Sequence, residues 1–453
     1  MNWSVIPEVS AVTLVICAFA SVARHNQTPI SKLWLTGWLM ILLHFVAGLF
    51  TPIPGIWGNL AFVLLSASLA WAGVLFMYAS IPFREDASSR WMLWSLLASN
   101  TLYLTVLSLG YDAHWALNLA AVVLGLCPLA VMLVSIRRVN HPLRWILASL
   151  YGALSVFLLI FQYRPGNGSD LAWNAVMFTV YVGCCSFFSY AFRRTSAGAF
   201  VTIAGFFTWA SVFIVGPMMD AFQPQVHIES EVWNLPKFIV AVGMMLLLLE
   251  DQIEHNKYLA LHDALTGLPN RRLFEDRMAS AVERSRRTGT GMAVLVIDLD
   301  DFKQVNDTLG HHVGDLVLQR VASSFTERVR RSDTVSRTGG DEFSVILEEP
   351  TNREEAEFVG RSLRQLLNDP LDIEGQKVSV GASVGTAIFP EDAPDAESLC
   401  IAADLKMYKS KRRSHESNQN AASAKWKTTP VRESAISEEL RLAQENVSPD
   451  DIS

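Results

Sequence analysis

The sequence predicts a protein in two parts, an all-α polytopic membrane region followed by an α/β cytosolic domain. Three observations carry that division. The apolar residues, 51% of a chain of 453, are concentrated in the first half. Basic residues recur there in every second connection between apolar segments. Beyond residue 260 the pattern changes to short strand-like runs alternating with helix-like stretches. A formal charge of −7 with a positive mean hydropathy describes a mildly acidic protein too apolar to be a soluble domain throughout. No nucleic acid is expected among its partners.

Hydrophobic segments near residues 4–22, 33–50, 56–80, 91–110, 114–136, 144–162, 171–192, 199–219 and 232–249 each approach the roughly 20 residues that cross a bilayer. They predict about nine spans within residues 1–249, with the lipid bilayer as partner. Cytoplasmic loops carry an excess of Lys and Arg. Arg24 with Lys32, Arg84 with Arg90, Arg137, Arg138 and Arg144, then Arg193 with Arg194 fall in alternate connections. The intervening ones hold little: none at 51–55, Asp112, a single Arg164, and the acidic Asp220, Glu229 and Glu231. This orientation places the N-terminus outside and Glu250 onward inside.

Twelve of the thirteen Trp residues precede residue 234, and Trp34, Trp57, Trp91, Trp115, Trp145, Trp173 and Trp233 sit near segment ends, as an interfacial aromatic belt requires. The first apolar segment lacks a basic start and a clear small-residue cleavage site, so it is expected to stay as a membrane helix. His44 is the ionisable residue most clearly inside a span. It is a candidate for ligand, proton or metal work, against the plainer reading of a helix–helix hydrogen bond. The spans otherwise lack the clustered charge of an ion-coupled transporter. Cys17, Cys127, Cys184, Cys185 and Cys400 form no metal-type spacing; the adjacent Cys184 and Cys185 read as small packing residues, with a redox-active pair as the alternative.

From Leu246 to Asp263 the last span is expected to run straight into a polar helix, making residues 250–263 a stiff connector. Leu249, Ile253, Asn256 and Ala260 follow a 4-3-4 spacing suited to a short parallel helix pair between two subunits, or to one connector packed on its own domain.

The chemistry gathers in the second half. Arg337-Thr338-Gly339-Gly340-Asp341-Glu342-Phe343 places two adjacent carboxylates after a Gly-Gly turn between the strand-like Thr334–Ser336 and Phe343–Leu347. Alone it fits an ordinary solvated turn equally well. About 40 residues earlier the apolar run Met292–Ile297, suited to a buried strand, ends in Asp298-Leu299-Asp300-Asp301-Phe302-Lys303. Carboxylates at a strand end and on a neighbouring hairpin suit Mg²⁺, which takes a few hard oxygen ligands plus substrate phosphates.

With these motifs in view, Leu261 to Lys411 resembles the GGDEF family of diguanylate cyclases. Six stretches agree in order and spacing: His262–Arg272, Asp298–Asp307, Gly310–Asp315, the signature hairpin, Ser383–Ala387 and Ala403–Lys411. The resemblance implies the palm-like, nucleotide-cyclase-type fold over residues 264–413, in a bacterial inner-membrane protein. It implies condensation of two GTP into cyclic di-GMP plus pyrophosphate, with Mg²⁺, or Mn²⁺ in its place.

Asp341 and Glu342, with Gly339 and Gly340, become the catalytic residues; Asp298, Asp341, Glu342 and the Leu299 carbonyl become metal ligands. Asn306 and Asp315 would read guanine, and Lys303, Lys411 and the backbone around Phe302 would meet phosphates. Arg330 and Asp333 match the spacing of the family's inhibitory site for cyclic di-GMP. A product that joins two nucleotides symmetrically implies a homodimer. Where the family pattern has Gly-Arg-Asn, this chain has Ser414-His415-Glu416, which removes one phosphate-binding Arg that Arg412 or Arg413 would have to replace. The tail from about 414 to 453 reads as disordered, with a short helix expected near 433–445. The rival readings are a non-catalytic receptor for GTP or cyclic di-GMP, and a transport protein with an attached regulatory domain.

Overall fold

The computed structural model describes residues 2–428 apart from 26–27, 82–86, 110–113, 136–141, 165–167, 193–195, 224, 226–229 and 350–351. The connections holding Arg84, Asp112, Arg137, Arg138, Arg193, Arg194 and Glu229 therefore lie outside the described residues, as does the helix expected near 433–445. The chain divides between His255 and Asn256 into two compact units.

Among the described residues the first unit is helical: α1 (Ile6–His25), α2 (Pro29–Phe50), α3 (Ile56–Ala79), α4 (Ala87–Ser108), α5 (His114–Ser135), α6 (Pro142–Phe161), α7 (Gly168–Ala191), α8 (Ala197–Phe222) and α9 (Ser230–Leu261). Eight of these are long and apolar enough to cross a membrane. The exception is α4, whose polar side chains are used inside the bundle. Asn100 donates to the Tyr151 hydroxyl at 3.0 Å, and Thr101 accepts from the Trp71 indole at 2.7 Å. Lipid offers no such partners, so polar groups at this depth turn toward other helices.

Small residues bring the helices close. A Cβ on Gly73 of α3 would lie 2.3 Å from a Val180 methyl of α7. Trp34 departs from the expected aromatic belt: it is buried, stacked on Phe188 at 5.8 Å. Trp57, Trp91 and Trp115 are exposed. His44 takes the plainer of its two readings, with Nδ1 2.8 Å from the Leu65 carbonyl across the α2–α3 contact.

Buried charge is richer than the sequence pattern implied. Lys237 is buried, its ammonium 2.5 Å from Asn234 Oδ1 and 4.6 Å from the centre of the Phe45 ring. Arg144, expected in a connection, is buried at the start of α6, where it donates to Ser88 at 2.7 Å and Ser89 at 3.3 Å. The expectation failed because span prediction weighs each segment alone, whereas the partners of these charges come from other helices.

The second unit contains α10 (Arg271–Thr288), β1 (Met292–Asp300), α11 (Phe302–Leu309), α12 (His311–Arg328), β2 (Thr334–Arg337), β3 (Glu342–Glu348), α13 (Arg353–Gln365), β4 (Leu371–Ile373), β5 (Gln376–Val378), β6 (Gly381–Phe389) and α14 (Ala396–Thr428). Four strands form an antiparallel sheet in the order β2-β3-β1-β6. Alternation along β1 splits the core. Ala293, Leu295, Ile297 and Leu299 pack with α12, α13 and Phe302, while Met292 and Val294 pack with α10 and α14. This is the predicted α/β sandwich.

The structure adds detail to that pattern: the short α11, the β4–β5 hairpin, and a break between Val378 of β5 and Gly381 of β6. The last helix runs to Thr428, through the first part of the segment expected to be disordered. That stretch contains no Gly or Pro and includes three Ala, which permits helix even without an apolar stripe.

Gly385 of β6 allows α14 to lie against the sheet, because an added Cβ would sit 2.1 Å from the Ala403 carbonyl oxygen. Gly385→Ala is therefore expected to destabilise this unit by about 1–3 kcal/mol. Denaturant unfolding of a fragment beginning near residue 250 measures it, and an unchanged midpoint would show that the helix can shift freely.

Candidate functional site

The site grows from the end of β1. Its register with β3 sets Asp298 directly opposite Glu342, on the sheet face that α14 covers. Directly opposed residues of an antiparallel pair are side-chain neighbours. The Leu299 N–H donates to the Asp341 carbonyl at 3.2 Å, tying the hairpin tip to β1. Asp298 is buried, Asp341 half-buried and Glu342 exposed.

Gly339 is constrained by contact, since a Cβ there would come within 2.6 Å of Glu342 Oε2. At Gly340 an added Cβ meets nothing within 4 Å, so packing within the protein does not call for glycine.

From α14, Lys411 reaches Asp298, with Nζ 2.5 Å from Oδ1. Burial alone would lower the Lys411 pKa, but the hydrogen bond to Asp298 and the charges of Asp298, Asp341 and Asp300 outweigh it and raise it. The Glu342 carboxyl is pushed up by burial and then by Asp298, Asp341 and Asp404. The sequence reading gave Asp404 no role.

These donors suit a hard divalent ion chemically: carboxylates are crowded enough to disfavour one another's charge, with a lysine holding one of them. Among the described residues, however, no three His, Cys, Asp or Glu side chains converge closely enough to enclose an ion. Lys411 holds Asp298 in the state seen here.

The residues assigned to guanine and phosphate lie just beyond β1. Asp301 adopts a left-handed conformation with φ 59°, turning the chain sharply into α11. Phe302 is buried and anchors that turn, while Lys303 is exposed. Gly314 lets Asn306 sit against α12, for a Cβ there would lie 1.9 Å from Asn306 Oδ1. Half-buried Asn306 and exposed Asp315 thus come from packed helices.

Arg330 and Asp333 are also brought together, though not as a simple ion pair. The Asp333 carboxylate accepts from the backbone N–H groups of Arg330 at 2.9 Å and Glu348 at 3.1 Å. The Arg330 guanidinium instead pairs with Glu355 at 2.6 Å. Both residues line a small cavity of 220 Å³.

Arg337 is the residue whose part the sequence did not reveal. Its guanidinium grips the Gly340 carbonyl at 2.7 and 3.1 Å and the Asp263 carboxylate at 2.9 Å. Asp263 in turn accepts from the Thr266 N–H and hydroxyl at 2.9 and 2.7 Å. The opening motif His262–Arg272 is thereby joined to the signature hairpin. Both partners stand in the quoted motifs, but 74 residues separate them.

The comparisons fall on the same residues. Positions 260–417 match the family model "Diguanylate cyclase, GGDEF domain", so this stretch of the chain is a GGDEF domain. The bifunctional diguanylate cyclase/cyclic di-GMP phosphodiesterase MucR of Pseudomonas aeruginosa is 44% identical over 153 residues, 34% of this chain and 22% of MucR. Diguanylate cyclase TpbB of the same organism is 37% identical over 174 residues, 38% of this chain and 40% of TpbB. The chain thus spans less than half the length of these curated relatives.

Among solved structures, the GGDEF domain of TpbB is 38% identical, with a TM-score of 0.33, covering 34% of this chain and 89% of that one. The coiled coil and GGDEF domain of DgcB from Caulobacter crescentus, in complex with c-di-GMP, is 26% identical, with a TM-score of 0.37, covering 40% of this chain and 95% of that one.

Burial opposes ionisation of Asp263, but its bonds to Thr266 and Arg337 overcome this and hold its carboxyl below the ordinary value of 3.8. Folding lowers this pKa, so the clasp contributes fully above the ordinary value and is lost as pH falls through the folded one. Arg337→Ala is expected to cost about 1–3 kcal/mol near neutrality. The gap from wild type should narrow only in strong acid; urea titrations at several pH values give the comparison, and a constant gap would contradict it.

Proposed function

We propose that the protein is a membrane-anchored diguanylate cyclase that condenses two GTP into cyclic di-GMP and pyrophosphate. The observation that supports this best is the grouping at the end of β1, where Asp298, Asp341 and Glu342 meet Lys411 beside a glycine with open space around it. Residues 264–413 form the catalytic domain in this reading, residues 1–249 a sensor and 250–263 the connector. The protein lies in the bacterial inner membrane with its N-terminus outside and its catalytic domain in the cytoplasm, an orientation that rests on the alternation of basic connections.

In the reaction, the 3′-hydroxyl of one GTP attacks the α-phosphate of the other and pyrophosphate leaves; a second, symmetric attack closes the ring. Asp298, Asp341, Glu342 and the Leu299 carbonyl would hold a divalent ion, Mg²⁺ or Mn²⁺, which would supply charge neutralisation at the phosphates and favour loss of the hydroxyl proton. Asp315 accepts from the guanine N1–H and amine, and Asn306 offers both a donor and an acceptor. The first turn of α11, around Phe302, presents backbone N–H groups to phosphate, with Lys303 beside it. Lys411 passes from Asp298 to the triphosphate. Arg412 or Arg413 stands in for the family Arg absent at His415.

Each domain binds one GTP, so two must face each other in a homodimer. The exposed Leu249 and Ile253 on α9 support such a pairing along the connector. The sensor sets activity through the geometry or population of that dimer. Product restrains its own synthesis at Arg330 and Asp333, where Arg grips phosphate or guanine beside a small cavity.

Purified full-length protein in lipid discs should convert GTP to cyclic di-GMP with Mg²⁺. Asp341→Ala should lower that rate by at least about 100-fold. A wild type that binds nucleotide yet makes no product, once bound product is removed, would favour the non-catalytic receptor. Arg330→Ala should raise the product concentration that halves activity by about tenfold; an unchanged value would place inhibition elsewhere.

A further inference from the structure

The first unit contains a cavity of 690 Å³, lined by residues of α3, α4, α7 and α8. Its rim carries the exposed carboxylates Asp170, near the start of α7, and Asp220, near the end of α8. Its wall includes Trp173, held edge-on against Phe213 at 5.7 Å, and Asn174, whose amide donates to the Asp170 carbonyl at 2.7 Å. Among the described residues the lining includes no Lys, Arg or His.

Deeper lies Ser66, ten residues past the first residue of α3 and about 15 Å along its axis. Its side chain is fully buried and lines the cavity, and its hydroxyl has no hydrogen-bond partner. A buried hydroxyl without a partner costs stability. A molecule bound at the floor of the cavity would satisfy it.

We propose that this cavity binds a small organic cation, a protonated amine or quaternary ammonium with an apolar body and a polar group at its far end. The two carboxylates supply negative charge at the mouth, and an indole in the wall favours a cation over its face. The volume falls in the range of small-molecule sites and exceeds what a bare metal ion fills. No group of three metal-ligating side chains occurs among the described residues, which argues against a metal ion as the occupant. An anion would meet two carboxylates and no basic group. In the orientation proposed above, the cavity opens away from the cytoplasm. The binding is independent of whether the catalytic domain turns over GTP.

The test is calorimetric titration of the full chain in phosphatidylglycerol discs with phenethylamine, choline and putrescine. The neutral 2-phenylethanol, phenylacetate and Ca²⁺ serve as contrasts. The expected result is saturable binding of at least one of the three cations below about 1 mM, weakened about tenfold or more in the double variant Asp170→Asn, Asp220→Asn.

Ser66→Val, which fills the floor, should also weaken binding, and it replaces the double variant if that one elutes as an aggregate. Discs containing phosphatidylethanolamine separate the sources of the ammonium group. Competition there assigns a lipid headgroup, and unchanged affinity assigns a free amine. The proposal is overturned if no cation binds, if the alcohol binds as well as the amine, if Ca²⁺ alone binds, or if affinity survives in the folded variants.

Discussion

The register between β1 and β3 is the constraint on which the second unit depends. β1 is paired on both sides, by β3 and β6, and is buried on both faces over most of its length. Its alternate residues feed two separate helix layers. A slip of one residue would send Leu295 and Ile297 into the wrong layer and turn Asp298 away from α14. The cost of such a slip is the loss of the whole core, so the apolar residues fix the position of the acidic ones. Carboxylates appear where the strand leaves the core, because they can be hydrated or paired there and nowhere earlier along it.

The same logic separates what was readable in the sequence from what was not. Met292–Ile297 is apolar without interruption and ends in a burst of Asp, so both strand and site announce themselves locally. The Gly-Gly turn between two β-rich runs does so as well. Arg337 and Asp263 do not, although each stands in a motif, because their pairing depends on the fold that brings the motifs together. α11 escaped notice because its eight residues are too few for a periodic signal, and its start relies on an aspartate in the left-handed region, which Asp visits only occasionally. Lys411 was visible as a cation near the end of a helix, but the path of α14 across the sheet determines that it reaches Asp298.

In the membrane half the limits of sequence reading are different. Length and hydropathy reveal the helices and miss their side-chain partners. Asn100, Arg144 and Lys237 are polar groups on apolar helices, and each is answered by a residue from another part of the chain or from the next helical turn. α4 fell below the threshold of a spanning helix because it supplies several of those answers. The Ser66 hydroxyl, which has no such answer, lines the cavity proposed above as a binding site.

The contact between Lys411 and Asp298 makes the resting site self-neutralising. A divalent ion arriving alone would push the partly exposed ammonium off its carboxylate and leave it beside a second positive charge. An ion arriving already chelated by a triphosphate offers Lys411 a new anionic partner in the same event. In the proposed function the lysine is thus a placeholder, one that a metal–nucleotide complex would displace more readily than free metal would.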